Sequence, residues 1–174
     1  MPELLPDFVS VLVALNAARV RFVLIGGLAM VAHGSAHITE DIDICYARDR
    51  ENLVALVAAL TPSNPHLRGA PEGLPFLFDT RTLANAFNLT LATDIGSVDL
   101  LGEVPGVGSF DTLWGRSVTL EMGGVLVRVA SVDDLIAMKE AAGRLKDQSH
   151  VLELRALRKL TAGDDSGAIE CEIR

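Results

Sequence analysis

FVLIGGLAMVAHGSAHITEDIDICY, residues Phe22 to Tyr46, is the stretch that decides how the chain folds. It opens with four apolar residues, Phe22 to Ile25, that read as a buried strand. Gly26 and Gly27 follow, where a backbone turns sharply or lets a ligand come close. Leu28 to His33 is a small-residue segment of one or two helical turns, closed by Gly34 as a C-terminal cap. A polar loop leads into Asp41-Ile42-Asp43-Ile44, where acidic and apolar residues alternate. Side chains at i and i+2 of a strand share a face, so Asp41 and Asp43 point the same way, about 7 Å apart along the chain. Ile42 and Ile44 enter a core on the opposite face.

Two neighbouring carboxylates beside apolar residues repel each other and lose hydration, which is costly without a cation. A divalent ion removes that cost, and Mg²⁺ favours a couple of carboxylates plus substrate phosphates over a closed protein cage. Taken alone, a D-x-D also reads as a solvated pair on an edge strand. The glycine pair upstream adds a second element. A Gly-Gly turn opening a helix offers backbone N–H groups to an anion, and phosphate plus metal is what a nucleoside triphosphate needs.

Outside this stretch, 174 residues suffice for one well-packed domain. Apolar residues make up 49% with few aromatics, so the expected core is rich in Leu, Val and Ala. No apolar run approaches the ~20 residues of a membrane span, and no basic-then-apolar leader opens the chain. Cys45 and Cys171 are far apart and read as reduced thiols of a cytoplasmic protein. A net charge of −8 argues against broad, charge-driven nucleic-acid binding.

Before the opening strand, Phe8, Val11, Leu12, Leu15 and Ala18 recur at helical spacing within Pro6 to Val20. After the acidic strand, Asp49 caps a helix over Arg50 to Leu60. The Pro- and Gly-dense residues that follow, SNPHLRGAPEGLP, predict an irregular loop, solvated unless His66 or Arg68 reaches a substrate. Thr80 to Ala86 suggests a short helix. Asn88 to Thr93 and Ser97 to Leu101 form a strand pair turning at Asp94-Ile95-Gly96. Asp99 stands alone among apolar neighbours in a strand expected beside the acidic one, and buried carboxylates are rare unless paired or ligating. Asp94 is ordinary turn chemistry. A glycine-rich connection and one helical turn at Ser109 to Trp114 precede a hairpin, Val118 to Glu121 and Val125 to Val129, about Gly123-Gly124. Arg128 faces away from Val127 and Val129, toward triphosphate or solvent. Ser131 opens a helix over Val132 to Ala142 with a capping box. A last helix runs from Lys146 to Leu160. His33, His37, His66 and His150 are too scattered for a zinc site.

Gly26-Gly27, a spacer and Asp41-Ile42-Asp43-Ile44 resemble the signature of the nucleotidyltransferase (polymerase-β-like) superfamily. The longer string GGLAMVAHG…TEDIDI and the later SVDDLIAMKEAAGRLKDQSHVLEL are similar to minimal nucleotidyltransferases of the AbiEii/MenT toxin type. The resemblance spans Phe22 to Leu160, with its specific motifs at the two ends. It implies an α+β fold: a mixed β-sheet flanked by helices, with C-terminal helices closing the site. Residues 1–160 would form one nucleotidyltransferase-like domain and 161–174 a flexible tail. Asp41, Asp43 and Asp99 would be the catalytic acids and the metal ligands, holding Mg²⁺ or Mn²⁺. Gly26, Gly27, Lys139, Lys146 and Asp147 would bind the nucleotide, with Lys139 on phosphate and Lys146-Asp147 as a site-lining pair.

The implied reaction moves a nucleoside monophosphate from an NTP to a hydroxyl. The resemblance points to tRNA as acceptor and to an antitoxin as partner; the acidic surface suits a protein side chain or a small hydroxylated molecule equally. Leu28 replaces the usual Ser, and His37 stands where an Arg is expected. Those departures favour the alternative, a non-catalytic nucleotide- or protein-binding module on the same fold. A hydrolase using the three acids is a further alternative.

Overall fold

Phe22–Ile25 forms β1, and all four of its residues are buried, as expected of a strand covered on both faces. In the computed structural model, which describes residues 5–71 and 73–164, β1 lies inside a seven-stranded mixed sheet. Its neighbour β2 (Asp41–Tyr46) runs antiparallel to it, pairing Leu24 with Ile44 and Ile25 with Asp43. Beyond β2 lies β5 (Gly96–Leu101), parallel, and β4 (Asn88–Thr93) pairs antiparallel with β5. The two-residue β3 (His66–Leu67) ends that side. On the other side β1 meets β7 (Val125–Val129) in parallel, and β6 (Val118–Met122) closes the sheet.

The period of two does its sorting here. Ile42, Ile44, Val98 and Leu100 are fully buried on one face. The acids alternate with them on the other. Helices α1 (Leu5–Ala17) and α3 (Arg50–Leu60) pack on each other and supply Leu12, Leu15, Leu53 and Leu56 to the core. Asp49 caps α3 by accepting a hydrogen bond from the Asn52 N–H. Buried Asn52 in turn donates its amide to the carbonyls of Ala47 and Arg21, which ties α3 to the end of β2.

The short helix α2 (Gly26–Ala32) follows β1 without a linker, so both glycines lie in its first turn rather than before it. Gly34 closes it at φ +100. The stretch predicted as irregular from Ser63 onward contains β3, whose pairing with Leu91 and Ala92 no local pattern signals. Helix α4 (Thr80–Asn85) is capped by Asp79, and α5 (Phe110–Arg116) by Ser109. The Ser131 hydroxyl accepts from the Asp134 N–H at the start of α6 (Val132–Ala142). Gly143, at φ +62, ends α6 and allows the reversal into α7 (Leu145–Asp164), which packs against it. Thus α7 extends past the predicted stop at Leu160; the remainder of the expected tail, and Cys171, lie outside the described residues. Cys45 is a buried free thiol, pushed up to about 12 by burial first and by the Glu103 charge second. Among the described residues no helix is long and apolar enough to cross a membrane.

Candidate functional site

In the parallel pair of β2 and β5, Asp41 stands opposite Ser97 and Asp43 opposite Asp99. Strands in a sheet lie about 4.8 Å apart, so Asp99 is a direct cross-strand neighbour of Asp43. All three carboxylates open into one cleft of about 790 Å³. Gly26, Gly27, His37 and Thr39 line one side of it, and Leu135, Met138, Lys139, Lys146 and His150 of α6 and α7 line another. The predicted acids, glycines and Lys139 and Lys146 therefore meet in one place.

Asp43 sits partly buried beside two like charges. Burial, then the charges of Asp41 and Asp99, raise its carboxyl from 3.8 to about 6, against the opposing pull of Lys139 and Arg68. Asp99 is also raised, by burial first, although Arg68 and its hydrogen bond work the other way. The Thr39 hydroxyl donates to Asp41 Oδ1 at 3.3 Å.

Gly26 has a reason to be glycine that the sequence does not display. A Cβ there would stand 2.1 Å from Asp43 Oδ2, and its φ of +68 disfavours any side chain. At Gly27 a Cβ would come within 3.0 Å of the Thr39 and His37 side chains. The two glycines leave the room that Asp43 and the cleft wall occupy.

On the opposite wall, Lys139 is nearly buried, and its Nζ lies 3.3 Å from Asp147 Oδ1. Asp147 does not itself line the cleft. It is 1% exposed behind Lys139, and its Oδ2 accepts from Arg144 Nε at 2.8 Å. Burial opposes its ionisation, but the Arg144 hydrogen bond and the Lys139 charge outweigh burial and hold the carboxyl below its usual range. His150 Nδ1 lies 3.8 Å from Asp147 Oδ1, and its ring meets that of His37 edge-on at 4.6 Å. Burial first, then the Lys139 charge, push the His150 imidazole down.

One side chain in the site belongs to the segment expected to be a solvated loop. Arg68 Nη2 donates to both oxygens of Asp99, at 2.8 and 3.0 Å, and its Nη1 lies 3.5 Å from Asp41 Oδ2. Among the described residues no three His, Cys, Asp or Glu side chains are drawn together as a ligand set. The three aspartates share the cleft with a guanidinium between two of them. Arg128, expected to face triphosphate or solvent, does neither: it lies 4.5 Å over the Trp114 ring and donates to the Ser117 carbonyl.

The fold recurs in solved structures. The antibiotic-resistance factor ANT(2'')-Ia matches in its solution structure (TM-score 0.55, 13% identity, 93% of this chain and 92% of that one). It also matches in its crystal structure with adenylyl-2''-tobramycin (TM-score 0.57, 14% identity, 93% and 91%). A Thermotoga maritima protein classed with the nucleotidyltransferases matches at TM-score 0.51 and 17% identity, over 94% of this chain and 95% of that one. No curated protein matches the sequence. A family model, described as a nucleotidyltransferase of unknown function (DUF6036), matches residues 7–162, nearly the whole sheet-and-helix body just described, and the chain belongs to that family.

Proposed function

We propose that this protein transfers a nucleoside monophosphate from an NTP to a hydroxyl acceptor in a Mg²⁺-dependent reaction. The observation that carries the reading is the pairing of Asp43 with Asp99 across two parallel strands, with Asp41 on the same face and Lys139 on the facing wall. The donor set suits a divalent ion by type, although among the described residues no three such side chains are drawn together as a ligand set. The donors are hard carboxylate oxygens, and Asp43 is held near its neighbours by a cradle that a Cβ at Gly26 would fill. Arg68 already supplies positive charge to two of the three acids. Held by Asp41, Asp43 and Asp99, the ion would neutralise the triphosphate and stabilise charge on the attacking and leaving oxygens.

The chain's own groups do the rest. Asp99 accepts the proton of the attacking hydroxyl. The acceptor oxygen bonds to the α-phosphorus as the bond to the bridging oxygen breaks, and pyrophosphate leaves. Lys139, fixed by Asp147, faces the charge that grows on the pyrophosphate, and such preorganised charge is the main resource in phosphoryl chemistry. Gly26 and Gly27 leave room for the Asp43 carboxylate and the Thr39 and His37 side chains at the cleft wall, so the backbone there can approach the phosphates. Lys146, on the cleft rim, adds a second positive charge.

For the acceptor we infer a tRNA end, on the likeness of GGLAMVAHG…TEDIDI and the α6–α7 segment to AbiEii/MenT-type toxins, with an antitoxin as partner and the cytoplasm as the place of action. Residues 1–160 then form one catalytic domain. A second reading, a small hydroxylated acceptor, is favoured by the net charge of −8, which suits a cationic molecule better than a polyanion.

The test is transfer of label from each α-³²P-NTP to a tRNA pool and to a panel of hydroxylated amines. The wild type labels one class, and Asp43→Asn labels none while keeping its circular dichroism. NTP binding with Mg²⁺ but no pyrophosphate release, across all four nucleotides, would make the protein a binding module.

A further inference from the structure

The row of residues that crosses the sheet through the acids does not stop at Asp99. Asp43 pairs with Asp99, and Asp99 with Thr90 on β4. The Arg68 N–H donates to the Thr90 carbonyl at 3.0 Å, one residue beyond the Leu67–Leu91 pair. Arg68 therefore stands on the same row and face, with a small Thr between it and Asp99. A long side chain at that position lies across Thr90 and brings its fork to the Asp99 carboxylate. One nitrogen, Nη2, spans both Asp99 oxygens while Nη1 lies toward Asp41, and the Arg68 side chain is 35% exposed.

We propose that Arg68 is a built-in counter-cation that a divalent ion must displace: the Arg68–Asp99 pair and an occupied metal site exclude each other. The proposal rests on reading Asp41, Asp43 and Asp99 as the cation site. Two physical points support exclusion. With Nη2 on both oxygens of Asp99 and Nη1 toward Asp41, the guanidinium holds these carboxylates toward Arg68, whereas Mg²⁺ demands near-octahedral oxygens at about 2.1 Å. A guanidinium also repels a divalent ion placed against the same carboxylates. The exchange is feasible because Arg68 is already partly in water, so leaving Asp99 strands no buried charge. Gly69, at φ +75 with open space around it, begins a Pro- and Gly-containing segment directly after Arg68. In the metal-free protein the arginine offsets the repulsion among the acids; in the loaded one it is released at the mouth of the cleft.

The experiment uses Mn²⁺ alone, without nucleotide, on metal-stripped full-length protein, read by electron paramagnetic resonance. Arg68→Gln is expected to bind Mn²⁺ about tenfold tighter than wild type, the scale of one charge-assisted pair removed. Arg68→Lys, which keeps the charge but loses the fork, falls between them. In the wild type the Arg68 side-chain N–H resonance should move on titration with diamagnetic Mg²⁺, and this readout holds even if a variant folds poorly. Equal or weaker Mn²⁺ binding by Arg68→Gln, with binding abolished by Asp43→Asn, overturns the exchange and leaves the cation site standing. Binding that Asp43→Asn does not alter removes the site itself, and the exchange with it.

Discussion

Asp43 is caught between burial and two neighbouring carboxylates, and its pKa of about 6 lies above the 3.8 of an unperturbed side chain. The folded protein therefore holds a proton that the unfolded chain has released, throughout the interval between those values. Stability from this group is full below about pH 4 and is lost as pH rises through about 6. The loss at neutral pH is of order 2–3 kcal/mol. In EDTA, the Tm of the wild type relative to Asp43→Asn should fall between pH 4.5 and 7, and a flat difference would contradict the raised pKa. Gly26→Ala tests the same carboxylate from the other side. Its Cβ would meet Asp43 Oδ2 and its φ is positive, so a loss of more than about 2 kcal/mol in denaturant unfolding is expected, together with loss of transfer. What the sequence conveys about these residues is uneven. Gly26 is recognisable as a necessary glycine, but the atom that forbids a side chain belongs to a residue seventeen positions later. Arg128 alternates out of its strand as predicted, yet a Trp ring receives it, and alternation says nothing about what waits on the far side.

At the scale of elements, the acid-bearing strands were legible because a period of two with acids on one face has few other meanings. Asp41 and Asp43 carry that signature in β2, and Asp99 was marked as a lone acid among the apolar residues of β5. Strand β3 carries none: two residues, His66 and Leu67, have no period, and their place is set by β4. The role of Arg68 was hidden for that reason. The turn between α6 and α7 was marked by Gly143, but the burial of Asp147 was not, since a first-turn carboxylate is normally solvated. Lys139 and Asp147 sit on opposite sides of that turn and hold it together. Asp147→Ala takes from the nearly buried Lys139 its carboxylate partner, which should cost ~3 kcal/mol by thermal or denaturant unfolding. It should also raise the KM for NTP more than Asp147→Asn does. An unchanged Tm for the Ala variant would show that the pair does not brace the helices.

Across the whole molecule, one apolar core runs from α1 through the central sheet to α6 and α7, where Val151 and Leu154 are buried. Leu24, fully buried in the inner strand β1, is joined to β2 and to β7. Leu24→Ala should cost about 2–5 kcal/mol and weaken both halves of the sheet in a single transition, as chemical denaturation would report. The pairing of Asp43 with Asp99 is fixed by the register of β2 and β5, with β4 beside them. Lengthening a flexible connection costs only about 0.6 kcal/mol per doubling. Natural variation can thus rewrite the excursion between Gly69 and Asp79, and with it whatever greets the incoming acceptor, while the chemistry underneath stays untouched. Relatives with one catalytic floor and many different clienteles are what such a division of labour would produce.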